Sequence, residues 1–283
     1  MGYMHIDNLY KNQDVLLFKE VYAMEKIHGT SAHISWVDGH LSFFSGGVKP
    51  ISFVALFDHK ALIKAFTKLG YQEITIYGEA YGGKCQGMSK TYGDQLRFVA
   101  FDVKVVDSWL TVPNAKSITM HLGLDFVPHI KCKTDIELLN AARDALSIQA
   151  QKCGINKPRK REGIVIRPLL EVTKNNGKRI MAKHKNDDFI ETKTPRVLDE
   201  SKLVVLKEAD AIANEWVTEM RLTHVLDKFS DVDISQAGDI IKAMIDDVER
   251  ESEGEIIKSR EARKAIGKKT IIMLKDRLNK KCG

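Results

Sequence analysis

One short segment combines residues that could carry out covalent chemistry. It is Glu25-Lys26-Ile27-His28-Gly29, between two predicted strands, so Lys26 lies at a strand end beside a turn. A lysine amine attacks an electrophile only when neutral, and a free lysine has a pKa of about 10.4. Burial or neighbouring positive charge favours the neutral form. The segment is compatible with a lysine nucleophile and also with a surface lysine beside a turn glycine.

Two further segments could bind a ligand. Glu79 comes at the end of a predicted strand in the glycine-rich segment Tyr77–Gly83, and the glycines would let a ligand approach closely. Phe98 and Phe101 lie in the next predicted strand, and either ring could stack on a base. Ordinary core packing would also explain both phenylalanines.

A third group of charged residues follows later in the chain. Glu162 begins the sequence Glu-Gly-Ile-Val-Ile, and Lys183 and Lys185 flank a histidine in a further predicted strand. Alternate residues of a strand point to the same face, so the two lysines would repel each other unless an anion lies between them. A triphosphate would supply that anion. An exposed edge strand protected by lysines predicts the same pattern.

The elements that must position these residues are mainly strands. The predicted strands cover residues 16–23, 33–37, 41–44, 73–77, 97–103, 163–168 and 179–183. Asp38-Gly39 predicts a hairpin turn. Amphipathic patterns predict helices over residues 53–69 and 135–150. This mixture predicts an α+β domain built from antiparallel sheets with helices.

The pattern changes after Thr194-Pro195-Arg196. From Ser201 onward there is no proline and little alternation, and helices are predicted over residues 201–227, 236–249 and 255–278. We therefore expect one domain over residues 1–200 and a small all-helical domain over residues 201–283.

The composition excludes several classes of protein. Of 283 residues, 43% are hydrophobic and 29% are charged, as in globular proteins. No run approaches the roughly 18 apolar residues of a membrane span, so no membrane partner is expected. The cysteines show no Cys-x-x-Cys spacing, which argues against a zinc ribbon and favours free thiols in a reduced, cytoplasmic compartment. The net charge of +6 is compatible with a polyanionic partner.

The order of the motifs is more specific than any one of them. Lys-x-His-Gly, Gly-Glu, Phe-Asp, Glu-Gly-Ile-Val and Lys-x-Lys follow one another, an order that resembles the covalent nucleotidyltransferase superfamily of DNA ligases, RNA ligases and mRNA capping enzymes. Lys-x-His-Gly is similar to the motif of RNA ligases, most of all the RNA ligase 2-like family. The resemblance covers about residues 20–195 and implies a ligase-type nucleotidyltransferase domain.

The resemblance implies roles for the first motif. Lys26 matches the nucleophile that becomes covalently attached to AMP, and Glu25 lies where adenine is recognised. Ile27, His28 and Gly29 complete the motif and are expected to belong to the nucleotide site.

The later motifs imply further contacts with the nucleotide. Glu79 matches the carboxylate that holds the ribose, and Phe101 matches the aromatic residue that stacks on adenine, with Phe98 as the alternative. Lys183 and Lys185 match the pair that contacts the α-phosphate.

The same resemblance implies a divalent metal. Glu162 matches the acid of the fourth motif, which is associated with the metal and with positioning the nucleotide. Glu162 and Glu79 are the candidate ligands of Mg²⁺, with Mn²⁺ as a possible substitute.

One position departs from the family pattern. The family usually has an arginine shortly after the second strand, but no arginine occurs here between Lys26 and Arg97. Lys49, or the backbone amides of Gly46 and Gly47, would have to take its place.

The resemblance therefore implies an ATP-dependent RNA ligase. It would use ATP and a divalent ion to join RNA with a 5′-phosphate to RNA with a 3′-OH, in the cytoplasm, a phage-infected host cell being one setting. A DNA ligase or a GTP-using capping enzyme is an alternative, and both typically carry an OB-fold of about five strands after this domain. A non-catalytic RNA-binding protein is a second alternative, with the basic segment 258–281 contacting phosphates. The oligomeric state is left open.

Overall fold

The chain forms two compact units. The computed structural model describes residues 2–174, 177–189, 200–252, 256 and 258–281. The first unit consists of residues 1–171 and 181–196, and the second of residues 172–180 and 197–283. The boundary expected near residue 200 adjoins residues 190–199, which lie outside the described part of the chain.

Two antiparallel sheets form the framework of the first unit. The strands are β1 (Glu20–Lys26), β2 (Thr30–Val37), β3 (His40–Ser45), β4 (Glu73–Gly82), β5 (Leu96–Val105), β6 (Ser108–Trp109), β7 (His129–Lys133), β8 (Gly163–Pro168) and β9 (Ala182–Lys185). One sheet has the order β7-β1-β8-β9 and the other the order β3-β2-β4-β5-β6. The prediction of an α+β fold with antiparallel sheets is confirmed.

Helices pack against both sheets. The helices of this unit are α1 (Pro50–Val54), α2 (His59–Leu69), α3 (Ser89–Tyr92), α4 (Val112–His121), α5 (Ile136–Asp144) and α6 (Ile148–Lys152). Trp36 of β2 stacks on Phe66 of α2, with ring centroids 5.6 Å apart and the planes 5° from parallel. Such buried aromatic pairs anchor helix to sheet, because they remove large apolar areas from water.

Both predicted helices of this unit are divided in two. The pattern over residues 53–69 gives α1 and α2, because the Asp58 side chain accepts a hydrogen bond from the Ala61 amide and so starts a new helix. Ser147 does the same for α6 by accepting from the Ala150 amide. A side-chain cap therefore interrupts an amphipathic pattern that continues through it.

Two strand predictions were wrong in position. The strand predicted over residues 16–23 begins only at Glu20, after a 3-10 turn over Asp14–Leu17. The strand predicted over residues 179–183 is β9, at Ala182–Lys185. Before β9, Ile180 donates to the carbonyl of Val172 in a separate turn and does not join β8. The other five predicted strands are confirmed, with ends that differ by a few residues.

The described part of the second unit has four α-helices. They are α7 (Glu200–Trp216), α8 (Glu219–Leu226), α9 (Ala237–Glu251) and α10 (Arg260–Lys281). The helix predicted over residues 201–227 is interrupted because Thr218 caps α8 by accepting from the Arg221 amide. The described residues from 200 onward contain no β-strand, in contrast to the OB-fold of the alternative families.

Two further expectations concern membranes and thiols. None of the helices in the described residues is long and apolar enough to cross a membrane. Cys85, Cys132 and Cys153 are free thiols. Cys282 lies outside the described residues.

Candidate active site

The register of three neighbouring strands brings the charged motifs together. In the sheet, Lys26 of β1 pairs with Gly163 of β8, and Gly163 pairs with Lys185 of β9. Glu162 immediately precedes Gly163, so its side chain enters between the two lysines. The Nζ atom of Lys26 lies 2.8 Å from Glu162 Oε2, and Nζ of Lys185 lies 3.2 Å from Oε1. His28 Nδ1 lies 3.2 Å from Oε2.

Glu162 is a buried carboxylate surrounded by basic groups. The residue is 2% exposed. Burial by itself raises its pKa, but the hydrogen bond from His28 and the charge and hydrogen bond of Lys26 outweigh burial and lower the pKa to about 2. Glu162 is therefore an anion at every physiological pH, and it holds the amine of Lys26 in a fixed direction.

Gly163 and Gly29 allow the backbone of neighbouring strands to lie close to them at this site. Gly163 has a φ of +148°, and a Cβ atom there would lie 2.2 Å from the carbonyl oxygen of His184. A Cβ atom on Gly29 would lie 2.3 Å from the carbonyl oxygen of Ala80. Both sites require glycine, because the neighbouring backbone cannot move as a side-chain tip could.

Glu79 faces the same region from the other sheet. Its Oε1 atom accepts a hydrogen bond of 3.2 Å from the Gly29 amide. Burial raises the pKa of Glu79 from 4.5 to about 7, against the opposing charge of Lys26 and together with the like charge of Glu162. This carboxyl group changes its charge near neutral pH.

The raised pKa of Glu79 predicts a pH dependence of stability. Ionisation of Glu79 is harder in the folded chain, so its contribution favours folding below about pH 4.5 and is lost as the pH rises through about 7. Each pKa unit corresponds to about 1.4 kcal/mol. The free energy of unfolding of Glu79→Gln, relative to that of wild type, should therefore rise by about 3 kcal/mol between pH 4 and pH 8. Urea unfolding of both proteins at each pH measures this difference. A difference that stays constant with pH would contradict the assignment.

A cavity of about 370 Å³ extends from Lys26 into the space between the sheets. Its walls include these six residues of the predicted site: Glu25, Lys26, Ile27, Glu79, Phe101 and Lys183. Sequence reasoning missed other wall residues, among them Tyr3, Ser31, Arg167 and Met181. Residues 3–6 belong to no strand or helix and carry no motif, so no pattern in the sequence could place them there.

A β-bulge directs Phe101 into the cavity. The pairing between β4 and β5 shifts at Tyr77, which faces Asp102, while the next residue, Gly78, faces Ala100. Phe101 is therefore the extra residue, and a bulge of this kind changes the direction of a side chain. Phe98, the alternative, packs in the core against the rings of Phe53 and Phe57 and is not among the cavity residues.

Two further residues of the predicted site are Glu25, which lines the cavity but is hydrogen-bonded within the fold, and Lys49. The Glu25 carboxylate accepts hydrogen bonds from the Ser147 hydroxyl and from the amides that begin α6, so this side chain is engaged within the fold. Lys49 is exposed at the start of α1 and is not among the cavity residues. The amide of Gly46 donates to the Ser31 carbonyl within the β2–β3 hairpin.

The carboxylates present fit a metal ion only in a limited way. In the described residues, no group of three or more His, Cys, Asp and Glu side chains could hold an ion. Mg²⁺ is commonly bound by one or two carboxylates together with substrate phosphates. Glu162 and Glu79 fit an ion that arrives with a phosphorylated ligand, not a complete site made by the protein.

The sequence is similar to a known protein family. A sequence model of the RNA ligase family matches residues 19–185. This range includes Lys26, His28, Glu162 and Lys185. No curated protein matches the sequence.

Solved structures show the same fold. They include Naegleria gruberi RNA ligase as an apo mutant, with 16% identity and a TM-score of 0.53 over 67% of this chain. They also include the ligase with PPi, with 18% identity and a TM-score of 0.52 over 68% of this chain. A mutant with ATP and Mn has 16% identity and a TM-score of 0.51 over 67% of this chain. In each case this chain spans 57% of the length of the solved one.

Proposed function

The chain belongs to the RNA ligase family, and from that premise we propose that it is an ATP-dependent RNA ligase whose covalent intermediate is a lysyl-AMP at Lys26. The Lys-x-His-Gly motif at residues 26–29 supports the finer assignment to the RNA ligase 2-like group. The helical second unit is consistent with this choice, because its described part has none of the strands of an OB-fold.

One observation carries the proposal. Lys26 Nζ is held 2.8 Å from the buried Glu162 carboxylate, at a cavity whose walls include Phe101, Glu79 and Lys183. The cavity, about 370 Å³, is within the range of small-molecule sites. An aromatic ring, a carboxyl group and a lysine are suited in turn to a base, a ribose hydroxyl and a phosphate.

In the first step, Lys26 Nζ attacks the α-phosphorus of ATP in its neutral form and releases one N–H proton to solvent as the N–P bond forms. The new N–P bond replaces the bond from the α-phosphorus to the bridging oxygen, and pyrophosphate leaves. Glu162 accepts a hydrogen bond from the amine and orients it, and Lys183 and Lys185 stabilise the charge that develops on the phosphoryl oxygens. Glu162 and Glu79 would hold a divalent ion that arrives with ATP, and the ion would neutralise further phosphate charge.

Two transfers complete the reaction. An oxygen of the RNA 5′-phosphate attacks the phosphorus of lysyl-AMP, which breaks the N–P bond, and the nitrogen takes up a proton from solvent to restore the Lys26 amine. The RNA 3′-OH then attacks the 5′-phosphate of the adenylylated end, and AMP leaves. All three steps break one phosphorus bond and form another, so no oxidant or reductant is required.

The activity is tested with RNA strands that carry a 5′-phosphate and a 3′-OH, both single-stranded and annealed as a nicked duplex. With ATP and Mg²⁺ we expect a sealed product that resists phosphatase. The matched DNA substrates and GTP separate this activity from DNA ligases and capping enzymes. Sealing of DNA alone, or transfer from GTP alone, would contradict the proposal, and RNA binding without sealing would favour a non-catalytic role.

A further inference from the structure

We propose that Tyr3 is a base-binding residue of the cavity, held in place by an amino-terminal strap of residues Tyr3–Leu9 that runs from one sheet to the other. The inference rests on the proposed function, since it takes the occupant of the cavity to be a purine nucleotide. It adds a residue that lies outside every sequence motif described above and outside the matched residues 19–185.

The first end of the strap is fixed to the sheet that carries Phe101. The backbone amide of Tyr3 donates to Ser31 Oγ at 3.2 Å, and the Tyr3 hydroxyl donates to Asp102 Oδ2 at 2.5 Å. Asp102 is fully buried and also accepts from the Arg167 guanidinium at 3.0 Å. Both the backbone and the side-chain tip of Tyr3 are therefore anchored.

The ring of Tyr3 is set among other aromatic rings. Its centroid lies 4.8 Å from that of Phe101, with the planes 80° apart, so the two rings pack in a T-shaped arrangement. Tyr77 and Trp109 also contact it edge-on, with centroids 5.2 Å and 5.7 Å away. Edge-to-face packing is one of the favourable geometries for aromatic pairs. Tyr3 therefore lines the cavity and packs against Phe101.

The other end of the strap is fixed to the strand that carries Lys183. The Lys183 amide donates to the Asp7 carbonyl at 2.9 Å, and the Leu9 amide donates to the Lys183 carbonyl at 2.8 Å. Leu9 is 1% exposed, which anchors this end in the core. One short segment thus contacts the residue proposed for the base and the residue proposed for the phosphate. The strap sets the distance between these two parts of the nucleotide site.

The rate of lysyl-AMP formation against ATP concentration tests this role. We expect Tyr3→Leu to raise the KM for ATP about fivefold to tenfold, with a maximal rate within about twofold of wild type. Tyr3→Phe keeps the ring and should stay within about threefold of the wild-type KM. Tyr10→Leu is the matched control, because Tyr10 follows the strap and does not line the cavity. An unchanged KM in Tyr3→Leu, or a loss of maximal rate at unchanged KM, would overturn the inference.

A second measurement needs no variant and so does not depend on how Tyr3→Leu folds. Hydrogen exchange of the wild-type chain should slow in residues 3–9 and around Phe101 when ATP and Mg²⁺ are added, while α2 stays unchanged. Unchanged exchange in residues 3–9, in a chain that does form lysyl-AMP, would exclude Tyr3 and leave the ligase proposal intact. Absence of lysyl-AMP in the wild-type chain would instead count against the proposed function.

Discussion

Lys26→Arg should abolish RNA sealing, with the rate falling at least about 1,000-fold. Arginine keeps a positive charge opposite Glu162, so the ion pair that stands at 2.8 Å in the wild type can persist. A guanidinium group, however, is not deprotonated at any working pH and cannot attack phosphorus. Lys26→Ala should fail equally, because it removes the amine altogether.

The matched control for this prediction is Lys64→Ala. Lys64 is an exposed lysine of α2 and is not among the cavity residues, so its loss should leave the rate unchanged. Sealing is followed as conversion of a labelled RNA strand into the longer product. Melting temperatures of the three variants show that each one folds. Activity in Lys26→Arg above a few per cent of wild type would mean that another group is the nucleophile.

Glu162→Ala should both destabilise the protein and slow lysyl-AMP formation. The substitution removes the common partner of Lys26, His28 and Lys185 and leaves three basic groups together. Loss of one partner of a fully buried ion pair costs about 3–5 kcal/mol, and here the basic groups reach solvent in part, so we expect about 1–3 kcal/mol. The amine of Lys26 also loses its orientation, which should slow the first step at least about 100-fold.

Glu20→Ala is the matched control for Glu162→Ala. Glu20 also pairs with a lysine at 2.8 Å, but both side chains of that pair are nearly half exposed, so its loss should cost within about 0.5 kcal/mol. The contribution of Glu162 should be fully present above about pH 4.5 and disappear as the pH falls towards about 2. Denaturant unfolding of wild type and both variants at several pH values measures these effects. Equal losses in the two variants would contradict the central role of Glu162.

The sequence was sufficient for those parts of the fold that depend on local patterns. Alternating strands such as Glu73–Gly82 and the change to helices after residue 200 follow from periodicity alone. The helix ends could not be predicted from the sequence, because the caps at Asp58 and Ser147 interrupt apolar patterns that continue on both sides. The position of β9 depends on which residues pair with β8, and that is decided by tertiary contacts.

The candidate site also combines residues that sequence motifs predict with residues that only tertiary contacts place. The order of the motifs predicts Lys26, Glu162 and Lys185 as site residues, and the register of β1, β8 and β9 brings these three together. The choice between Phe98 and Phe101 needed the bulge, since one inserted residue reverses which side chains face the cavity. Tyr3 could not be found from sequence, because a segment without regular structure has no periodicity to interpret.

The most direct test of the account is to locate the covalent intermediate. The wild-type chain is incubated with Mg²⁺ and ATP labelled at its α-phosphate, without RNA, and then denatured and digested. We expect a single labelled peptide, heavier by one AMP, with the modification on Lys26 and release of the label by pyrophosphate. Label on another residue, or label that persists in Lys26→Ala, would contradict it. Absence of label would also contradict it once intact mass has shown that the purified chain carries no AMP beforehand.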